Sequence, residues 1–382
     1  MNLSELSSRH LLQCGGFLLE TTDPDPDESC VRRWLADLGF HQGVMTHPVD
    51  VKTGPQLVCQ LEPCFRLQYL PLHDTLDLQT RWQRHHGQPL TLEQEIVLSL
   101  LAAPHPLFFA DLQALQSHVR VRCNIVRAAR KTALAFKTQA AERPSSFWHY
   151  DETHGFLLQP GRDLIEAIVA ATQPEATGRL YDFSCYRATE YVILLGLAQE
   201  ARTHDPALYA RLQQTCQEHA IRSGQFHEVF LVEYGSLEAP LPCHYYVPGD
   251  RLWFRNPDAG SSDVEGYEGS WVIYMGEGLF SNFWERERPF TLESKCLEIF
   301  HWRDGVREGT NGQLEMDEQA VAQAVQATMQ NPQSRHATLE RMMRFRDPQG
   351  LYAEGGCIDA SREYPRGIGQ GSCQLVLPQL AS

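Results

Sequence analysis

The sequence predicts an α+β protein, and three observations carry this. Helical spacing of apolar residues runs from Asp111 to about Ala141 and resumes at Cys185. Beyond Ala220 the pattern becomes extended, with the β-branched or aromatic runs "EVFLVEY", "DRLWFRN" and "SWVIYMG" separated by Gly, Pro and Asp. At 382 residues the chain is long enough for two or three domains and a sizeable core.

The elements justify themselves in order. Residues 1–100 read as a small α+β region of their own. In it a Pro/Asp loop, "ETTDPDPDESC", precedes short apolar runs broken by Gly and Pro. "TLEQEIVLSLLAA" opens as a helix, with Thr91 as N-cap and acidic residues in its first turn. After the break "APHPLFF", the apolar residues Leu112, Leu115, Val119, Val126, Ala129, Ala133 and Phe136 predict one long amphipathic helix. "SSFWHYDETHGFLLQPG" is loop-like, "RDLIEAIVAAT" a short helix, and "TGRLYDFSC" leads into the helix at Cys185. The three extended runs predict an antiparallel sheet against that helix. A polar helix, "MDEQAVAQAVQATMQN", and a Gly-rich tail make up a C-terminal extension, residues 311–382, beyond a core of 101–310.

Composition excludes several classes. A net charge of −15 argues against nucleic acid or an anionic membrane as partner. There is no apolar run of about 18 residues to span a membrane. The first residues lack a basic stretch followed by an apolar one, so no secretory signal is read. The expected location is the cytoplasm as synthesised, compatible with later export by a route that needs no signal peptide. Eleven scattered cysteines, an odd number, fit a reduced protein. Cys59 and Cys64 lack the partners of a zinc site, as do His85 and His86, so no metal is expected. "GIGQG" in the tail lacks a preceding strand and following helix and is not a dinucleotide fingerprint. Asn256-Pro257-Asp258 is a turn signal. Only four of the 33 basic residues are lysines, which reflects either a GC-rich genome or a protein that keeps primary amines away from its own chemistry.

"YDFSCYRATEYVILL" carries the chemistry. A cysteine in the first turn of a helix meets unpaired backbone N–H groups and the positive end of the helix dipole, both of which favour thiolate. A thiolate can attack a carbonyl and hold it as a thioester. A cysteine helix followed by antiparallel strands is also the order of a compact papain-like enzyme. The bland alternative is a small hydrophobe at the edge of a core.

Five segments in sequence, from about Val119 to about Gly305, resemble the bacterial spore-coat type of protein-glutamine gamma-glutamyltransferase. They are "VRVRCNIVRAAR", "SSFWHYDETHGFLLQPG", "YDFSCYRATEYVILL", "YVPGDRLWFRNPD" and "YEGSWVIYMGEGLF". The resemblance implies a transglutaminase-type core with Cys185 as nucleophile. It also implies a protein substrate bearing glutamine, an amine (lysine) co-substrate and no cofactor. Amine attack on the thioester gives an isopeptide cross-link, and water gives deamidation.

The departures fall on the machinery. Where the family has Glu before the nucleophile this chain has Ser184, and Ser270 stands where a second Glu opens the hairpin strand. Phe283 stands at or near the family's histidine. Glu268, two residues before Ser270, could share its strand face. His244, His227 and His301 are the histidines that border the site segments, His244 and His301 being the leading substitutes. Asp182 is a further carboxylate. Arg187 stabilises a thiolate or pairs with Glu190 on the surface, and Trp253 and Trp271 are core or walls of a substrate groove. Two functions follow: cysteine-dependent acyl transfer on glutamine, or a catalytically degenerate relative that serves as a protein-binding or structural module.

Overall fold

The computed structural model describes residues 15–51, 54–136, 141–220, 223–309, 312–347 and 355–378. It is a mixed fold of helices and two four-stranded sheets.

The first sheet contains β1 (Phe17–Glu20), β2 (Val44–Val51), β3 (Gly54–Leu61) and β4 (Leu107–Phe109), in the order β2-β3-β1-β4. β1 runs antiparallel to β3 and parallel to β4, with Phe17 opposite both Cys59 and Leu107. Helix α1 (Pro24–Asp37) covers it with Val31 and Leu35. Helix α2 (Leu92–Leu101) starts at Thr91, whose hydroxyl accepts from Gln94 N–H while the Gln94 side chain accepts from Thr91 N–H. α2 shares the same apolar cluster.

Helix α3 (Leu112–Lys131) links this cluster to the next, contributing Leu115 and Val119 to one and Val121, Ile125 and Val126 to the other. It is shorter than the periodicity predicts. Its end is Thr132, which turns its hydroxyl onto the Ala128 carbonyl. Leu134 N–H then bonds to Phe283 O, and Ala135–Phe136 become strand β5. Ala133 and Phe136 are thus apolar for tertiary reasons, not helical ones.

Helix α4 (Leu164–Thr172) and strand β6 (Asp182–Phe183) lead to helix α5 (Cys185–His204). α5 is buried almost all round from Ala188 to Ala198, as expected of a central helix. Gly196 permits its close crossing with α3, since a Cβ there would fall 2.5 Å from Ile125 Cγ1. Helices α6 (Pro206–Glu218) and α7 (Ser223–Phe230) follow. "EVFLVEY" is therefore helical through Phe230, and only its last four residues form strand β7 (Leu231–Tyr234). A short apolar run does not distinguish the two.

The second sheet is built from β7, β8 (Arg251–Arg255), β9 (Gly269–Ile273) and β10 (Arg362–Pro365), in the order β9-β8-β10-β7. β8 and β9 pair antiparallel with Trp253 opposite Trp271 and Phe254 opposite Ser270. β10 comes from the segment read as a C-terminal extension, yet it lies between β8 and β7. A strand thus does precede "GIGQG", while none of the described residues after it is helical. α5 packs on β9. Helices α8 (Leu292–Gly305), α9 (Glu318–Gln330) and α10 (Pro332–Met342) close the molecule around a third apolar cluster that includes Phe254, Phe280, Cys296 and Trp302.

Candidate active site

Cys185 is the first residue of α5 and half-buried. Ser184 caps the helix, its hydroxyl accepting from Arg187 N–H at 3.4 Å. Packing α5 on β9 brings the Trp271 backbone N–H to the Cys185 sulfur. Burial pushes the thiol above its ordinary value of 9.0, against the pull of the Trp271 and Tyr186 N–H groups and the charges of Lys295 and Arg251. The resting group is a thiol, set among groups that would stabilise negative charge.

Aromatic rings and one guanidinium organise the floor. Tyr186 meets Trp271 edge-on with centroids 5.2 Å apart, and Trp271 stacks on Trp253 at 6.0 Å. Gly269 admits that pair, because a Cβ there would lie 2.2 Å from Trp253 Nε1. Fully buried Arg251 sits 4.0 Å from the Trp271 centroid and 4.3 Å from that of Tyr186. Its Nε donates to Thr189 Oγ1 at 2.9 Å, and its Nη1 to Glu363 Oε2 at 2.9 Å. The other oxygen of Glu363 lies 2.8 Å from His227 Nδ1. A continuous polar path therefore joins half-exposed His227 to the rings beside Cys185.

Arg187 does pair with Glu190, at 2.8 Å, but not on the surface: the Glu190 carboxylate is fully buried. Burial outweighs Arg187 and Arg251 and lifts its pKa to about 7. Arg187 also lines a cleft of about 300 Å³ together with Arg143, Tyr150, His154, Phe156 and Tyr191. Asp182 lies in β6, parallel to β5, and its carbonyl accepts from Arg143.

The remaining expected residues are placed as follows. Ser270 is half-buried in β9, opposite Phe254. Glu268 lies just before β9 with its side chain exposed and its carbonyl accepting from Asn256 N–H. His244 is exposed, and its carbonyl accepts from Thr75. His301 is buried in α8 with Nδ1 at 2.6 Å from Asp304 and Nε2 at 2.8 Å from Thr328 of α9. Arg251, Thr189 and Glu363 were not singled out from sequence, and Glu190 was read only as a surface partner of Arg187. The available signal was a cationic residue at the head of an apolar strand, and a carboxylate inside an apolar helix run.

The family model for protein-glutamine gamma-glutamyltransferase matches residues 74–353. The chain belongs to this family. The protein-glutamine gamma-glutamyltransferases transfer the gamma-glutamyl group of protein glutamine to amines, and the matched span holds Cys185, β8, β9 and α8. Among solved structures, the transglutaminase from Geobacillus stearothermophilus, without its C-terminal extension, is similar over 56% of this chain and 97% of its own. The identity is 22% and the TM-score 0.39. No curated protein matches. Against the pattern of the protein-glutamine gamma-glutamyltransferases set out above, serine occupies positions 184 and 270 and phenylalanine position 283. Among the described residues no helix is long and apolar enough to cross a membrane.

Proposed function

We propose that this chain transfers the gamma-glutamyl group of protein glutamine through a thioester on Cys185. The observation that carries the reading is the seat of Cys185: first turn of a buried helix, with the Trp271 and Tyr186 N–H groups on its sulfur. The sulfur attacks the glutamine side-chain carbonyl, a C–S bond forms, the C–N bond breaks, and the thiol proton leaves with ammonia. A neutral amine then attacks the thioester. The new C–N bond forms, the C–S bond breaks, and the proton lost by the amine returns to sulfur. Water in place of amine gives glutamate. N–H groups fixed by α5 and β9 need no reorganisation as charge develops.

Glu268 and His244 are the proton carriers to test first, because both are exposed. His301 would have to release both Asp304 and Thr328 before it could act. Trp253, Trp271, Ser270 and Arg187 form the walls that receive glutamine. A second reading, a relative that binds glutamine-bearing partners without turnover, is favoured by the raised thiol and by serine at 184 and 270.

The deciding experiment supplies a glutamine-rich protein and a tagged primary amine to wild type and Cys185→Ala. Ammonia release and amine incorporation are followed together. Cysteine-dependent signal in either channel supports acyl transfer. Silence in both, across several substrates and pH values, supports the binding reading.

A further inference from the structure

A cavity of about 570 Å³ opens between the site hairpin and helices α8 and α9. Among the described residues that line it, five are aromatic, three are glutamates (Glu285, Glu298 and Glu318), and none is Lys, Arg or His. Its walls abut the candidate site. Phe136 of the cavity pairs with Phe183, two residues before Cys185, and its ring lies 6.3 Å from that of Tyr267, four residues before Trp271. Lys295, whose charge is felt at the Cys185 sulfur, comes from α8, the helix that supplies Ser294, Glu298 and Trp302 to the lining.

The molecule already seats one ammonium against this wall. Lys295 Nζ lies 3.9 Å from the Phe290 centroid, 5.7 Å from that of Trp302 and 3.2 Å from Glu298. Lys295 offsets one carboxylate. Glu318 accepts from the Tyr267 hydroxyl, a neutral donor, and Glu285 meets Arg288 only at 3.5 Å, both side chains being largely exposed. Three carboxylates thus face two cations, one of them held only by a long, exposed bridge, and aromatic faces with such a rim suit an organic cation.

We infer that this cavity holds a positively charged group of the amine acceptor that is not the reacting one. The inference rests on the acyl-transfer reading above. A carboxylate-lined pocket favours the ammonium form of any amine inside it, whereas attack on a thioester needs the free base. The group held in the cavity is therefore a second cation, and the acceptors preferred are diamines, or lysines flanked by another basic group.

The test is calorimetric titration of full-length Cys185→Ala with 1,5-diaminopentane and with 1-aminopentane, which differ only in the second amine. The diamine should bind about tenfold more tightly, the factor that 1.4 kcal/mol represents. In Cys185→Ala carrying Glu285→Gln and Glu318→Gln, the two amines should bind within about twofold of each other. Glu298 is left intact because it partners buried Lys295. Equal binding of the two amines, no binding of either, or an undiminished preference in the glutamine variants overturns the inference. Activity separates it from the reading beneath it. Equal incorporation of both amines by wild type keeps acyl transfer and removes the cavity's role. Diamine-selective binding with neither ammonia nor incorporation keeps the cavity and removes acyl transfer.

Discussion

Arg251 and Glu363 stand directly opposite each other across β8 and β10, guanidinium to carboxylate at 2.9 Å. This pair clamps β10 to the rings beside Cys185. Arg251 is fully buried, so removing its partner leaves a charge in the interior. Glu363→Ala should destabilise the protein by about 3 kcal/mol, read by denaturant unfolding with fluorescence. A loss below about 1 kcal/mol would mean the pair behaves like a surface bridge and does not hold the sheet.

Cys185 should be a slow nucleophile at rest. Burial raises its thiol above 9.0, so alkylation by iodoacetamide should be slow near neutrality and still climbing beyond the ordinary thiol range. Rates measured from pH 6 to 11, roughly the range spanning ordinary cysteine titration, decide this. A plateau already reached near neutral pH would show a preformed thiolate and contradict the assignment.

Glu190 makes stability depend on pH with a definite sign. Its carboxyl is raised from 4.5 to about 7 in the fold, so the folded state binds a proton more tightly than the unfolded chain. The stability this confers is complete below 4.5 and is lost as pH rises to about 7. The loss is on the order of 3 kcal/mol at about 1.4 kcal/mol per unit. Glu190→Gln should flatten the profile between these limits. Identical profiles for the two proteins would show that Glu190 titrates normally.

Ser270 offers a gain of function. Placing a carboxylate where the resemblance implies one, by Ser270→Glu, should raise amine incorporation by about 10²-fold, the lower end of what an acid–base group supplies. The readout is the rate of Cys185-dependent amine incorporation, with ammonia release followed alongside it. No increase in a folded variant would mean that proton transfer is not what limits this chain.

His301→Asn should leave activity within about threefold while loosening α8 from α9 by about 1 kcal/mol, since the ring's bond to Thr328 joins the two helices and its bond to Asp304 lies within α8. Collapse of activity with an unchanged melting curve would return His301 to the chemistry.

Much of this architecture was legible in the sequence, for local reasons. Thr91 and its capping partner, the apolar run after Cys185, and the β8 and β9 runs each carry their signal within a few residues. The unread parts depend on distant partners. α3 ends at Thr132 because the next residues pair with Phe283 and with β6, more than forty positions away. Arg251 meets Glu363 only through strand register, and "REYP" is too short and polar to announce an inner strand. Glu190 looked like the surface end of an i,i+3 pair because periodicity does not tell an apolar face from a helix buried on all sides.

The place of β10 bears on timing. A ribosome delivers Cys185 and its helix early, but the strand that separates β8 from β7 is made some 180 residues later. Until residue 365 has emerged, the sheet behind the cysteine exists as two unjoined halves, and Arg251 lacks its counter-charge. Such long-range closure is among the slow events of folding. A nascent or truncated chain would thus carry the cysteine without a finished floor beneath it. Whatever chemistry Cys185 performs would then wait until β10 has joined the sheet.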